Sequence, residues 1–254
     1  MVAYLGGFLV YSSTALGLAD RLLKGLIIVI LYALFDLIWT YARDRMWYLP
    51  TSSWISGLIL SLVAIPAPSI MLIILLPLLA VSSKQLLHFG RMRHVLNPAS
   101  FAMATVAIFT PAVSWWGVAW GTPPLIVAAL VGIFILWRQN RWHISVPFLV
   151  SYAILLSAFF LWNVIPAASL LQFIRPQLID GTIIFFATVM LIEPLTSTFP
   201  NTKQRILYGI LVAFAAMLVT YLSQQFAWGN QDPLVYGLLL GNLIASLLFL
   251  PKKI

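Results

Sequence analysis

Apolar runs recur along this chain from end to end, and most are closed by a proline or by a small group of lysines and arginines. They cover residues 3–18, 22–42, 53–66, 69–82, 98–112, 123–137, 145–162, 180–193, 205–222 and 234–250. A helix needs about 20 residues to cross a bilayer core, so the shorter runs predict half-buried, tilted or broken helices. Charged residues make up 8% of the 254 positions and hydrophobic ones 62%, whereas a soluble domain averages about 25% charged. A soluble globular fold is excluded. The short alternating strands of an outer-membrane barrel are also missing. The pattern predicts an all-α polytopic membrane protein, one transmembrane domain over residues 1–254. Met1-Val2-Ala3-Tyr4 carries no basic residue, so a cleaved signal peptide is not expected. No stretch between runs is long enough to bury its own core, which leaves soluble chemistry to partners.

The formal net charge of +8 would point to nucleic acid in a soluble protein. Here the basic residues lie in short loops, and no nucleic-acid partner is expected. With Met1 inside, the inner loops hold Arg43, Arg45, Lys84, Arg91, Arg93, Arg138, Arg141, Lys203, Arg205, Lys252 and Lys253, eleven of fourteen. Only Arg21, Lys24 and Arg175 fall outside. This bias predicts a bacterial-type inner membrane protein with a cytoplasmic C-terminus. Residues 3–18 either span or lie in the interface, without changing the later assignments. The absence of cysteine removes thiol and iron–sulfur chemistry. His88, His94 and His143 make no metal-ligand spacing, and no metal is expected.

Two segments recur in outline. Ser53 opens a short apolar helix ending at Ile65-Pro66, and Asp180-Gly181-Thr182 opens another ending at Glu193-Pro194, 127 positions later. Asn97-Pro98, followed by Ala99-Ser100, starts one helix, and Asp232-Pro233 starts another 135 positions on. Because the helix at Ser53 begins inside and that at Asp180 outside, the pattern predicts two inverted five-helix repeats. One covers about 1–120 and the other about 121–254. Interrupted spans of this kind surround central sites in transporters. Asn97 and Asp232 read as helix caps before a proline at the first helical position. The other reading aims paired helix N-termini at a buried ligand.

The polar groups in or beside the spans are the candidate site. Pro194 forces Glu193 out of the α region, breaking an apolar helix beside Thr196, Ser197 and Thr198. Lys84, Asn97, Ser100, Asp180, Thr182, Asp232 and Asn242 complete the set, since ionisable and polar groups inside a membrane are functional candidates by default. Asp36 is expected to pair with Arg43 near the inner end of its helix.

Lys84-Gln85-Leu86 with Asn97-Pro98-Ala99 resembles the inner-loop signature of the RnfD/NqrB family, membrane subunits of ion-pumping NADH:ferredoxin and NADH:quinone oxidoreductases. Arg141-Trp142-His143-Ile144 before Pro147-Phe148 is similar to a family helix start. Phe185-Phe186, Glu193-Pro194-Leu195-Thr196 and Lys203 to Gly209 resemble the family's Phe-Phe and Asp-Pro-Val-Thr pattern with its basic residue and glycine. Together these matches extend from about residue 53 to 250. The resemblance implies ten helices in two inverted repeats, an arrangement that resembles urea and ammonium transporters. It also implies riboflavin among the helices and FMN esterified to a threonine in a Ser-Gly-Ala-Thr-like loop. That loop motif does not occur. The nearest match, Gly121-Thr122, is either a helix-entry turn or a covalent flavin site at Thr122. Trp115, Trp116 and Trp120 are either an interfacial belt or a flavin platform. Glu193 stands where the family has Asp.

The expected cofactor is therefore riboflavin or FMN, non-covalent, with the Glu193–Thr198 break facing the Lys84–Asn97 segment around the ring. Hydroxyls would bind it, and Lys84 or Arg205 would favour its reduced, anionic form. The expected partners are membrane lipid, a reductase or other oxidoreductase subunits, and a quinone or outer acceptor. A solute, flavin or ion channel on the same fold is the alternative, and a scaffold with an emptied site a third.

Overall fold

The computed structural model describes residues 1–249 except 16, 18, 48–49, 66–67, 90–92, 111–113, 118–121, 164–165 and 227–230. It falls into two compact units, Met1–Trp120 and Gly121–Ile254.

The first unit runs α1 (Val2–Ala15), α2 (Ala19–Asp44), α3 (Thr51–Val63), α4 (Ile70–Leu86), a two-residue hairpin of β1 (His88–Phe89) and β2 (Arg93–His94), and α5 (Pro98–Ala107). The long α2 packs against α3 and α4, α4 packs on α5, and α1 packs on α2 and α3. Apolar residues on α2 point away from this unit as well as into it. Leu23, Leu26, Ile30, Leu34 and Ile38 form an exposed stripe at helical spacing. Such a stripe suits lipid, which solvates it without penalty.

The second unit runs α6 (Thr122–Gln139), α7 (Trp142–Trp162), a short 3₁₀ turn (Ala167–Ser169), α8 (Leu170–Leu178), α9 (Gly181–Phe185) continuing as a π turn (Phe186–Met190), α10 (Thr202–Gln225) and α11 (Pro233–Phe249). Here α7 lies along α10, α10 on α11, and α6 on α9 and the π turn. Close approaches make this packing possible. A Cβ at Gly237 would fall 2.6 Å from the Ala216 Cα, and one at Gly132 would fall 2.8 Å from the Thr188 hydroxyl oxygen.

Among the described residues, three helices are long and apolar enough to cross a membrane: Asp20–Asp44, Trp142–Trp162 and Thr202–Gln225. Leu170–Leu178 and Gly181–Met190 qualify as a pair bent by 49°. Shorter apolar helices, such as Thr51–Val63 and Pro98–Ala107, have 10–17 residues. At a rise of 1.5 Å per residue they fall short of a core of about 30 Å. The chain is a multi-pass membrane protein that mixes long helices with short ones.

Two features depart from the sequence pattern. The segment read as a loop after Trp162 contains α8, whose Ile174 is buried while Leu171 and Phe173 are exposed. Its nine residues, with Pro176 inside the helix, are too few to register as a span. The helix before Glu193 also changes pitch before it ends, because the Leu191 N–H donates to the Phe186 carbonyl at 2.9 Å. Such π turns free carbonyls from the α ladder.

Candidate functional site

The first unit has its polar centre where α2, α3 and α4 meet. Asp36 is fully buried. One carboxylate oxygen accepts from the Lys84 ammonium at 2.7 Å and from the Ser53 hydroxyl. The other accepts from the Gln85 amide at 2.5 Å. The Lys84 Nζ also donates to Ser52 and Ser53 hydroxyls at 3.1 and 3.3 Å. The expected local pairing of Asp36 with Arg43 is corrected here. Arg43 makes its ion pair with adjacent Asp44 at 2.9 Å, and Gln85 bridges the two by accepting from Arg43 at 2.7 Å while donating to Asp36. The competing principle is burial. A carboxylate taken out of water needs a desolvated partner, and Lys84 is 9% exposed where Arg43 is 46%.

The hairpin after α4 brings His94 beside this centre. Its ring is buried, with no hydrogen bond to either nitrogen among the described residues. Burial first, then the Lys84 charge, pulls its pKa down to about 4, with Asp36 opposing. Arg21, also buried, donates Nε–H to the Ser12 hydroxyl at 3.1 Å and lays its guanidinium 4.0 Å over the Trp115 ring. That ring face therefore already carries a cation.

In the second unit the polar centre is a loop. The Glu193 carbonyl accepts from the Thr196 and Ser197 backbone N–H groups at 3.2 and 3.0 Å and from their hydroxyls at 3.2 and 2.8 Å. The Thr198 hydroxyl donates to the Pro194 carbonyl. Proline and the hydroxyl cluster thus build one self-satisfied turn, leaving the three oxygens with lone pairs to offer. Two guanidiniums brace it from flanking helices: Arg141 donates to the Ser197 carbonyl and Arg205 to the Phe199 carbonyl, both at 2.8 Å. Burial, and then the Arg205 charge, pulls Arg141 below the usual guanidinium range. Behind the turn, the Ser145 hydroxyl donates to the Ala187 carbonyl in the π turn at 2.6 Å.

The remaining candidates are mainly helix caps. Asn97 accepts from the Ser100 N–H at 3.0 Å ahead of Pro98. Asp232 accepts from Leu234 and Val235 N–H groups at 2.9 and 3.2 Å, and Asp180 from Thr182 N–H at 3.1 Å. Asn242 accepts from the Tyr208 hydroxyl. The Ser100 hydroxyl and the Asn242 amide nitrogen are buried and have no partner among the described residues. Thr122 opens α6, but its side chain, Gly121 and Trp120 lie outside the described residues. No group of three His, Asp or Glu side chains gathers at metal-binding distance among those described.

No family model matches the chain. Over 120 residues it is 32% identical to the RnfD component of the ion-translocating oxidoreductase complex of Salmonella arizonae, covering 46% of this chain and 31% of that protein. The RnfD of Erwinia tasmaniensis shows the same identity over 47% of this chain and 31% of its own length. Over that stretch the chain is RnfD-like. It spans only about a third of the length of the relatives it matches, 31% in each case.

Polar chemistry lies in each unit. Lys84, Gln85 and Ser53 each donate to Asp36. Arg141 and Thr196-Ser197 meet across the loop, through the Ser197 carbonyl. Asp36, Ser53 and Arg141 were not singled out as site residues by the sequence pattern. The signal available was weak: an acidic residue inside an apolar run, and a basic residue opening one.

Proposed function

We propose that this RnfD-like chain is a membrane component of an ion-translocating oxidoreductase and carries electrons on a non-covalent flavin, riboflavin or FMN. The observation that carries the reading is the 32% identity over 120 residues to RnfD proteins. The loop at Glu193–Phe199 suits a flavin chemically. Its hydroxyls keep lone pairs for the ring N–H and ribityl groups, and the neighbouring guanidiniums of Arg141 and Arg205 favour the reduced, anionic ring. In the same unit, Thr182 and Asn242 are further polar candidates on short helices. When bound, the flavin supplies one- and two-electron chemistry that no side chain here offers.

In this reading the ten apolar helices form two inverted five-helix repeats, with α8 as an addition to the second. What supports it is the shared pairing of second with fourth and fourth with fifth helices in each unit. The C-terminus is cytoplasmic by the lysine and arginine bias. A separate reductase delivers electrons, and a quinone or an outer acceptor removes them.

A second reading, an ion or solute pathway without flavin, draws on the internal satisfaction of the Glu193 turn, which is stable with nothing bound. Detergent-purified protein decides between them. The flavin reading expects yellow oxidised-flavin absorption and lower occupancy when Thr196 and Ser197 are both replaced by alanine. Absorption absent from the wild type overturns it.

A further inference from the structure

The last turn of α2 is closed by an arginine where a glycine would fit with less strain. The Arg45 N–H donates to the Tyr41 carbonyl at 2.9 Å, and its φ of 57° lies in the left-handed region that helix ends usually give to glycine. Its exposed guanidinium lies 5.8 Å from the centre of the Tyr41 ring, which stacks on Trp47 at 4.6 Å. Met46 and Trp47 are exposed as well. Among the described residues no carboxylate forms an ion pair with Arg45.

Over the preceding turns, an open groove of about 480 Å³ is lined by Phe35, Ile38, Trp39, Ala42 and Arg43 of α2 and by Leu78 of α4. Its volume falls in the range of about 300–1,000 Å³ that ligand pockets occupy. The groove continues the exposed stripe of Ile30, Leu34 and Ile38. Its charged lining residue, Arg43, is held by Asp44 at 2.9 Å and by Gln85 at 2.7 Å.

We propose that this groove takes an acyl chain of an anionic phospholipid, whose phosphodiester sits on Arg45 with the Tyr41–Trp47 pair at headgroup level. An apolar wall open to the bilayer suits a hydrocarbon chain, and aromatic side chains favour the headgroup region. Charge selects the headgroup. The C-terminal end of a helix is partly negative and repels a phosphate, so the guanidinium is what holds one there. A neutral quinone would fill the groove and leave the Arg45 charge unanswered. The lysine and arginine bias makes this end of α2 cytoplasmic, the side on which anionic lipids attract surface cations. The proposal rests on the membrane reading and on neither flavin nor electron transfer.

The test uses the full chain in detergent micelles containing equal amounts of phosphatidylglycerol and phosphatidylcholine, with retained lipids identified by native mass spectrometry. The wild type is expected to keep one phosphatidylglycerol in preference to phosphatidylcholine. Arg45→Gln should lower that preference about fivefold, the effect of roughly 1 kcal/mol per surface cation, and Arg45→Lys should keep most of it. Ala42→Trp, which fills the groove and leaves the charges in place, should lose the tightly held lipid altogether. Both positions are exposed, so neither change disturbs a core. Equal retention of the two lipids by the wild type would overturn the proposal. So would a preference unchanged in Arg45→Gln or in Ala42→Trp, or decylubiquinone retained ahead of either lipid.

Discussion

The two units share the pairing of second with fourth and fourth with fifth helices but neutralise their buried polar groups in opposite ways. In the first, a carboxylate and an ammonium cancel inside helices, joined by Ser53 and Gln85. In the second, a proline break exposes carbonyls that hydroxyls and two guanidiniums satisfy, with the Glu193 carboxylate beside Thr196. The first arrangement pairs one buried carboxylate with one ammonium. The second leaves excess positive charge around an acceptor-rich turn, which suits a ligand that becomes an anion on reduction. One packing scheme thus supports two chemistries, because the short helices end differently. α3 starts bare behind Pro50, and α9 passes through a π turn into Glu193-Pro194.

The sharpest way to break the comparison is to remove one charge. Lys84→Ala strands a buried carboxylate and should cost about 3–5 kcal/mol, read as a fall in thermal unfolding midpoint. D36N/K84Q, which removes both charges, should recover most of it. Equal losses in the two variants would mean that the pair is not a balanced centre.

Acid should act on the first unit through His94. Its folded pKa of about 4 lies below the ordinary 6.5, so the unfolded chain takes up the proton first as pH falls. Stability is complete above about pH 6.5 and declines toward pH 4 by on the order of 1 kcal/mol per pH unit. His94→Gln should flatten that slope in a pH series of unfolding midpoints, and an unchanged slope would remove His94 as its source.

Smaller effects belong to the second unit. Gly132→Val would push a side chain into Thr188 and should cost about 1–3 kcal/mol by overpacking, with Gly132→Ala milder, both seen by thermal denaturation. Tyr208→Phe deletes one buried hydrogen bond to Asn242 and should cost about 1 kcal/mol or slightly more. A larger loss there than for Lys84→Ala would reverse the contrast between the units.

Local chemistry was legible in the sequence where it acts locally. Asn97-Pro98 and Asp232-Pro233 both open helices as caps before a proline, because an Asx side chain and a fixed φ need nothing from the rest of the chain. Glu193-Pro194 ended its helix for the same reason. Ten apolar runs correspond to helices in the structure, with ends shifted by a few residues. What was not legible depends on distance or on length. Asp36 and Lys84 are 48 positions apart, so the nearer Arg43 looked like the partner until burial decided otherwise. The π turn lies inside an unbroken apolar run, where pitch leaves no residue signature. α8 is amphipathic but short, and its prolines read as loop. Several residues of the candidate site have structural jobs. Thr196, Ser197 and Thr198 first complete a turn, and Asn97, Asp180 and Asp232 cap helices.

The central claim is that this RnfD-like protein carries a flavin. It is tested most directly by acid-precipitating the detergent-purified chain and recording absorption spectra of pellet and supernatant. The account predicts flavin released into the supernatant, with a colourless pellet. Flavin retained in the pellet would contradict non-covalent binding and turn attention to Thr122, and the absence of flavin from both fractions would contradict the electron-transfer role itself.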